Sequence, residues 1–148
     1  MTDSLYTLTW MTRPLMQEVE TAVERGLASS GLTVRQRAVM EILLRQGPLP
    51  VPALAEALHI QRQYVQVMVN EALAAGLVEK RPNPRHARSA LIALTEIGRT
   101  LIDTVMEQEH ALLAEIAGDL PPQDVETALK VMQELHARFH SYNQGPSS

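Results

Sequence analysis

The chain contains no cysteine. Disulfides, thiolate metal sites and thiol redox sensing are therefore outside its chemistry. Aromatic residues are scarce: Tyr6, Trp10, Tyr64, Phe139 and Tyr142 are the whole set. The core must be aliphatic, which suits packed helices. No apolar run approaches the ~20 residues of a membrane span. The first residues, MTDSLYTLTWMTRPL, carry an early acid and no long apolar stretch, so they do not read as a signal peptide. A soluble cytoplasmic protein with no membrane partner is expected. There is no Gly-rich phosphate loop, no nucleophile elbow and no evident pair of catalytic carboxylates, which argues against an enzyme, and no cofactor is expected.

What is present is an uneven charge distribution. The 148 residues suit one domain, or one domain with extensions, and carry a net charge of -4. Residues 59–99 hold six basic and three acidic side chains, whereas residues 100–148 hold two and eight. The run KRPNPRHARS, from Lys80 to Ser89, packs four basic side chains and a histidine into ten residues broken by two prolines. An acidic chain with one such footprint points to a local contact with an anionic partner.

Helical patterning covers most of the rest. Leu5, Leu8, Met11, Leu15, Val19, Val23 and Leu27 recur at spacings of three and four, one apolar stripe over residues 3–29, with a kink or a helix start expected at Pro14. Thr33 with Gln36 three residues on is a capping-box pattern, and Gly47-Pro48 ends the helix begun there. Pro52 fits the first turn of a short helix whose inward face is Leu54, Ala55 and Leu58; His59 and Ile60 make a turn. The next helix starts near Gln61, with Val65, Val69, Ala72 and Leu73 inward and Gly76 at its end. Two short helices joined by a tight turn fit a helix-turn-helix; on pattern alone an ordinary helical hairpin fits as well. The segment after Gly76 decides between them. LVEKRP and SALIALT read as two strands flanking the basic run, so the helix pair leads directly into a hairpin with a basic tip. Thr95 then caps a long helix, and a last helix carries a stripe at Val125, Ala128, Leu129, Met132, Leu135 and Phe139. The expected fold is mainly α with a small two-stranded β wing.

Three segments carry a specific resemblance. LTVRQRAVMEIL at 32–43 looks like an L-T-x-x-Q helix start, ALAEALHI at 53–60 like an L-A-x-x-L motif, and ALAAGLVEKRPNPRHARSALIALTEIG at 72–98 like a helix–Gly–Leu–Val–x–Arg wing closing on L-T-x-x-G. In this order and spacing they resemble the MarR family of bacterial transcription regulators. The resemblance implies a homodimeric, sequence-specific DNA-binding regulator, by family habit a repressor, reading a palindromic operator. It divides the chain into an N-terminal dimerisation helix (1–30), a winged helix-turn-helix (31–98), C-terminal dimerisation helices (99–142) and a disordered tail (143–148). The apolar stripes of the terminal helices, with little in the chain to cover them, agree with a dimer.

For DNA contact, the recognition-helix candidates are Gln61, Arg62, Gln63, Tyr64, Gln66, Val67 and Asn70. Gln and Asn match adenine, Arg matches guanine or phosphate, and Val67, where the family often has Arg, could meet a thymine methyl. The wing candidates are Lys80, Arg81, Arg85, His86, Arg88 and Ser89. Arg85 and Arg88 suit a narrow minor groove, while Lys80 and Arg81 could bind phosphate or simply be solvated. The family's wing usually carries Asp-x-Arg; here His86 and Ala87 precede Arg88, so what orients Arg88 is open. The resemblance also implies release by a small aromatic or phenolic molecule. Trp10, Met11 and Met40 are candidate lining residues, with plain core packing as the alternative. Two other readings stand beside this one: a metal-responsive regulator using His136 and His140 at i, i+4 with His110 as a third ligand, and a winged helix that binds proteins rather than DNA.

Overall fold

The computed structural model describes residues 2–146, with side chains from Asp3 onward. Six helices and one hairpin run in the order α1 (Thr2–Leu27), α2 (Val34–Gln46), α3 (Val51–Leu58), α4 (Arg62–Ala74), β1 (Val78–Arg81), β2 (Leu91–Leu94), α5 (Glu96–Ala117) and α6 (Pro122–Gln144). They fall into two compact units, one ending at His110 within α5 and the other starting at Ala111.

The first unit holds an aliphatic core in which Val39, Met40, Leu54, Val65, Val69, Ile92 and Ile102 are completely enclosed. α2 starts as the capping box predicts: the Thr33 hydroxyl accepts the Gln36 N–H at 3.1 Å, and the Gln36 side chain accepts the Thr33 N–H at 3.0 Å. Two neighbouring donors that the helix itself cannot satisfy are thereby paired. α1 runs as one helix through Pro14, so no new helix starts there. Proline removes one hydrogen bond from the ladder without ending the helix.

β1 and β2 pair antiparallel, Val78 opposite Leu94 and Arg81 opposite Leu91. Leu49, just before α3, adds a third edge by exchanging two hydrogen bonds with Ile92 at 3.0 and 2.8 Å. The hairpin is thus anchored to the start of the helix-turn-helix. Its other end is closed by Thr95, whose N–H donates to the Leu77 carbonyl at 3.0 Å. The Thr95 hydroxyl donates to the Gly76 carbonyl at 2.7 Å and accepts the Gly98 N–H at 3.0 Å. One side chain therefore caps α5 and ties it to the end of α4.

A bridge between distant elements, invisible in the sequence, completes this unit. The Arg37 guanidinium on α2 grips both carboxylate oxygens of Glu109 on α5, with Nε to Oε2 at 2.6 Å, and its Nη1 reaches Glu41 at 3.1 Å. The hydrogen bond to Glu109 is the main reason the Arg37 pKa is raised above its ordinary value, against the opposing effect of burial. Its charge is therefore constant at any working pH. Removing the fork leaves Glu109 half-buried without its partner. Arg37→Ala is expected to cost about 2 kcal/mol of stability. Arg37→Lys should recover only part of this, since an ammonium cannot pair bidentately. Urea unfolding of the three proteins checks the order.

The second unit is different in kind. No residue of α6 is buried. Leu112, Leu113, Ile116, Leu120, Val125, Leu129, Met132, Phe139 and Tyr142 are all exposed. On α1 the same holds for Leu5, Tyr6, Leu8, Trp10, Met11, Leu15, Met16 and Val19, whereas Val23 and Leu27 reach the core.

Candidate nucleic-acid interface

α3 and α4 are joined by a turn at His59, which adopts a left-handed backbone (φ 56, ψ 41) and donates its N–H to the carbonyls of Ala55 and Glu56. The Ile60 N–H returns to the Ala55 carbonyl at 3.1 Å. α4 is anchored by Val65, Met68, Val69 and Ala72. Leu73, placed inward by the apolar spacing, is half-buried and packs against the core, and Met68, which the spacing did not single out, is buried beside it. The opposite face presents Arg62, Gln63, Tyr64, Gln66, Val67 and Asn70, all exposed, as expected from the spacing.

Two pairs of amides on this surface are hydrogen-bonded to each other. Gln63 Nε2 donates to Gln61 Oε1 at 3.1 Å, and Gln66 Nε2 donates to Asn70 Oδ1 at 2.9 Å. The second pair is a spacing that a helix brings together.

Between α4 and the hairpin lies an open cleft of about 440 Å³, lined by Val51, Pro52, Arg62, Gln63, Gln66, Lys80, Arg88, Ser89, Ala90 and Ile92. It joins residues of the recognition helix to residues of the wing some twenty positions away. Its polar wall is three cations, two amides and a hydroxyl, with no carboxylate. Strand alternation sorts the basic run. Lys80 lines the cleft. Arg81, one residue on and so facing the other way, turns its guanidinium to Glu79 at 2.9 and 3.2 Å. The charge of Arg81 is largely matched by its neighbour, whereas that of Lys80 adds to Arg62 and Arg88.

The wing tip is built from two linked turns. The Asn83 side-chain oxygen accepts the Arg85 N–H at 3.0 Å. The Asn83 carbonyl accepts the His86 N–H, and the His86 carbonyl accepts the Ser89 N–H, each at 3.2 Å. The second turn encloses the backbone of Arg88. Its guanidinium makes no hydrogen bond or ion pair among the described residues. Asn83 was not among the sequence candidates, although the Pro-Asn-Pro context signals a turn.

The remaining candidates separate. Trp10 and Met11 are exposed on α1, and Met40 has no solvent exposure, so it packs the core and does not face an open crevice. The His136 and His140 rings stack, centroids 6.4 Å apart and 11° from parallel. Among the described residues no group of three His, Asp or Glu side chains is placed to hold a metal ion. Nor is any helix among them long and apolar enough to cross a membrane.

A helix-turn-helix whose second helix runs into an antiparallel wing, with long helices before and after, defines a winged helix-turn-helix protein. Residues 30–89 match the sequence profile of the MarR family. The crystal structure of a MarR family transcription regulator is 36% identical and superposes with a TM-score of 0.86, covering 98% of this chain and 96% of that one. The chain belongs to the MarR family of transcription regulators. CouR from Rhodococcus jostii, solved with p-coumaroyl-CoA, shares the fold at a TM-score of 0.77 and 24% identity, over 86% of this chain and 90% of its own. An uncharacterised protein of Mycobacterium tuberculosis is 36% identical over 74 residues, 50% of this chain and 52% of its own length. The matched stretch thus spans about half the length of such curated relatives. The transcriptional activatory protein BadR of Rhodopseudomonas palustris is 28% identical over 115 residues, 75% of this chain and 66% of its own.

Proposed function

We propose that this protein works as a homodimer that binds double-stranded DNA at a palindromic operator and represses transcription there. The observation that carries the reading is the carboxylate-free cleft, whose lining Arg62, Lys80 and Arg88 share with Gln63 and Gln66. Cations suit phosphates, and amides suit base edges. α4 would enter the major groove, and the wing, with Arg85, His86 and Arg88 at its tip, would lie along the flanking backbone or minor groove. The acidic residues past 100 would keep the remainder of the molecule off the DNA.

The dimer is supported by the uncovered faces of α1 and α6. Exposed apolar stripes of that length mark interaction surfaces, and a second copy offers matching stripes. Residues 1–30 and 99–142 would thus be the pairing segments and residues 31–98 the DNA-binding domain. Repression is the simpler sign: a dimer seated on a promoter blocks polymerase with no further surface, whereas activation needs one. Release by a small aromatic or phenolic effector fits the exposed Trp10, Tyr6 and Met11. It requires that the effector prefer a dimer geometry that does not fit the operator.

The test is selection of bound fragments from a random duplex pool. A palindrome with half-sites about one helical turn apart is expected, with binding that weakens steeply as salt rises. Sedimentation at micromolar concentration should give twice the chain mass. Recovery of no motif, or a monomer at those concentrations, would remove the reading.

A further inference from the structure

Gln66 is the one cleft amide whose partner lies on the same face of the same helix. Its Nε2 donates to Asn70 Oδ1 at 2.9 Å, and both residues are exposed, one turn apart on α4. Gln66 lines the cleft and Asn70 does not. A primary amide has two N–H donors and a carbonyl acceptor. With one N–H committed to Asn70, the other N–H and Oε1 form a donor beside an acceptor. Adenine presents the complement on its major-groove edge, N7 to accept and N6–H to donate. The bond to Asn70 also limits the side chain's rotamers, so less freedom is lost on binding.

We propose that Gln66 reads an adenine in each half-site and that Asn70 is its positioning residue, selecting the base through Gln66 without touching it. This rests on the DNA-binding reading above and adds to it a named base and a division of labour. Gln63 is also tied, but to Gln61, which lies outside the helix as its N-cap. The Gln63 amide is therefore held from non-helical backbone rather than from a rigid turn.

The experiment is selection from a random duplex pool with the wild-type protein and three variants, Gln66→Ala, Asn70→Ala and Asn70→Asp, all at exposed sites. Gln66→Ala should flatten one adenine column per half-site by about tenfold or more. Asn70→Ala should weaken the same column about fivefold and leave the others unchanged. Asn70→Asp keeps an acceptor for Gln66, so the column should persist while total affinity falls through charge repulsion. A merely structural role for Asn70 would lower affinity without changing base preference. If the wild type enriches a motif whose columns do not respond to Asn70→Ala, or if the Gln66 column is not adenine, the inference fails and the DNA reading survives. If the wild type enriches nothing, both fall.

Discussion

Gly98→Ala is expected to cost about 3 kcal/mol or more of stability. A Cβ at Gly98 would lie 2.0 Å from the Leu77 carbonyl oxygen and 2.9 Å from its carbon. Those atoms are backbone, so no rotamer change can relieve the clash. The carbonyl is moreover fixed, because it accepts the Thr95 N–H that starts α5. To fit the methyl, α5 must lift away from the end of α4, breaking the Thr95 tie to Gly76 as well. The wing and α5 would lose their common anchor, so DNA binding should fall together with stability. Gly26 supplies the control. It lies near the end of α1, and a methyl there would meet nothing within 4 Å, so Gly26→Ala should stabilise by up to about 1 kcal/mol. Urea midpoints for the two variants should move in opposite directions. Equal midpoints for Gly98→Ala and wild type would mean that α5 does not pack on Leu77 in this way.

The second large effect is on binding. Replacing Arg62, Lys80 and Arg88 together with alanine should lower DNA affinity by about a thousandfold or more at moderate salt, with little change in stability. Each lost phosphate contact should reduce the slope of log affinity against log salt by about 0.9, and a dimer loses each one twice. Arg88→Ala alone should cost about 1–3 kcal/mol. The adjacent pair Lys80 and Arg81 makes the sharper comparison. Both are basic and both sit on β1, but Lys80 faces the cleft and Arg81 faces Glu79. Lys80→Ala should therefore weaken binding clearly more than Arg81→Ala. Equal losses would show that the contact depends on the net charge of the run and not on its geometry.

The basic run is visible as composition, and the strands beside it are visible as short apolar stretches around Pro and Asn. The capping box of Thr33 and Gln36, the turn at His59 and the outward face from Arg62 to Asn70 are likewise present in the chain itself. Each depends on residues within a few positions of one another, so the physics that forms them is written locally. The helix-turn-helix and wing were legible for that reason.

Other features had no local signature. Arg37 meets Glu109 across 72 positions, and nothing near either residue announces the pair. Gly98 was part of a recognisable motif, but its reason is the closeness of Leu77, twenty-one residues earlier. Met40 was a plausible crevice residue until packing enclosed it. The elements, their order, the capping and the place of the basic run follow from backbone propensity and short-range periodicity, so the chain alone carries them. Which cations share the cleft with Gln63 and Gln66, which arginine is matched by a carboxylate, and where a methyl cannot fit became visible with the folded structure. Those outcomes depend on distances between segments, and distance in space is not a property of position in the chain.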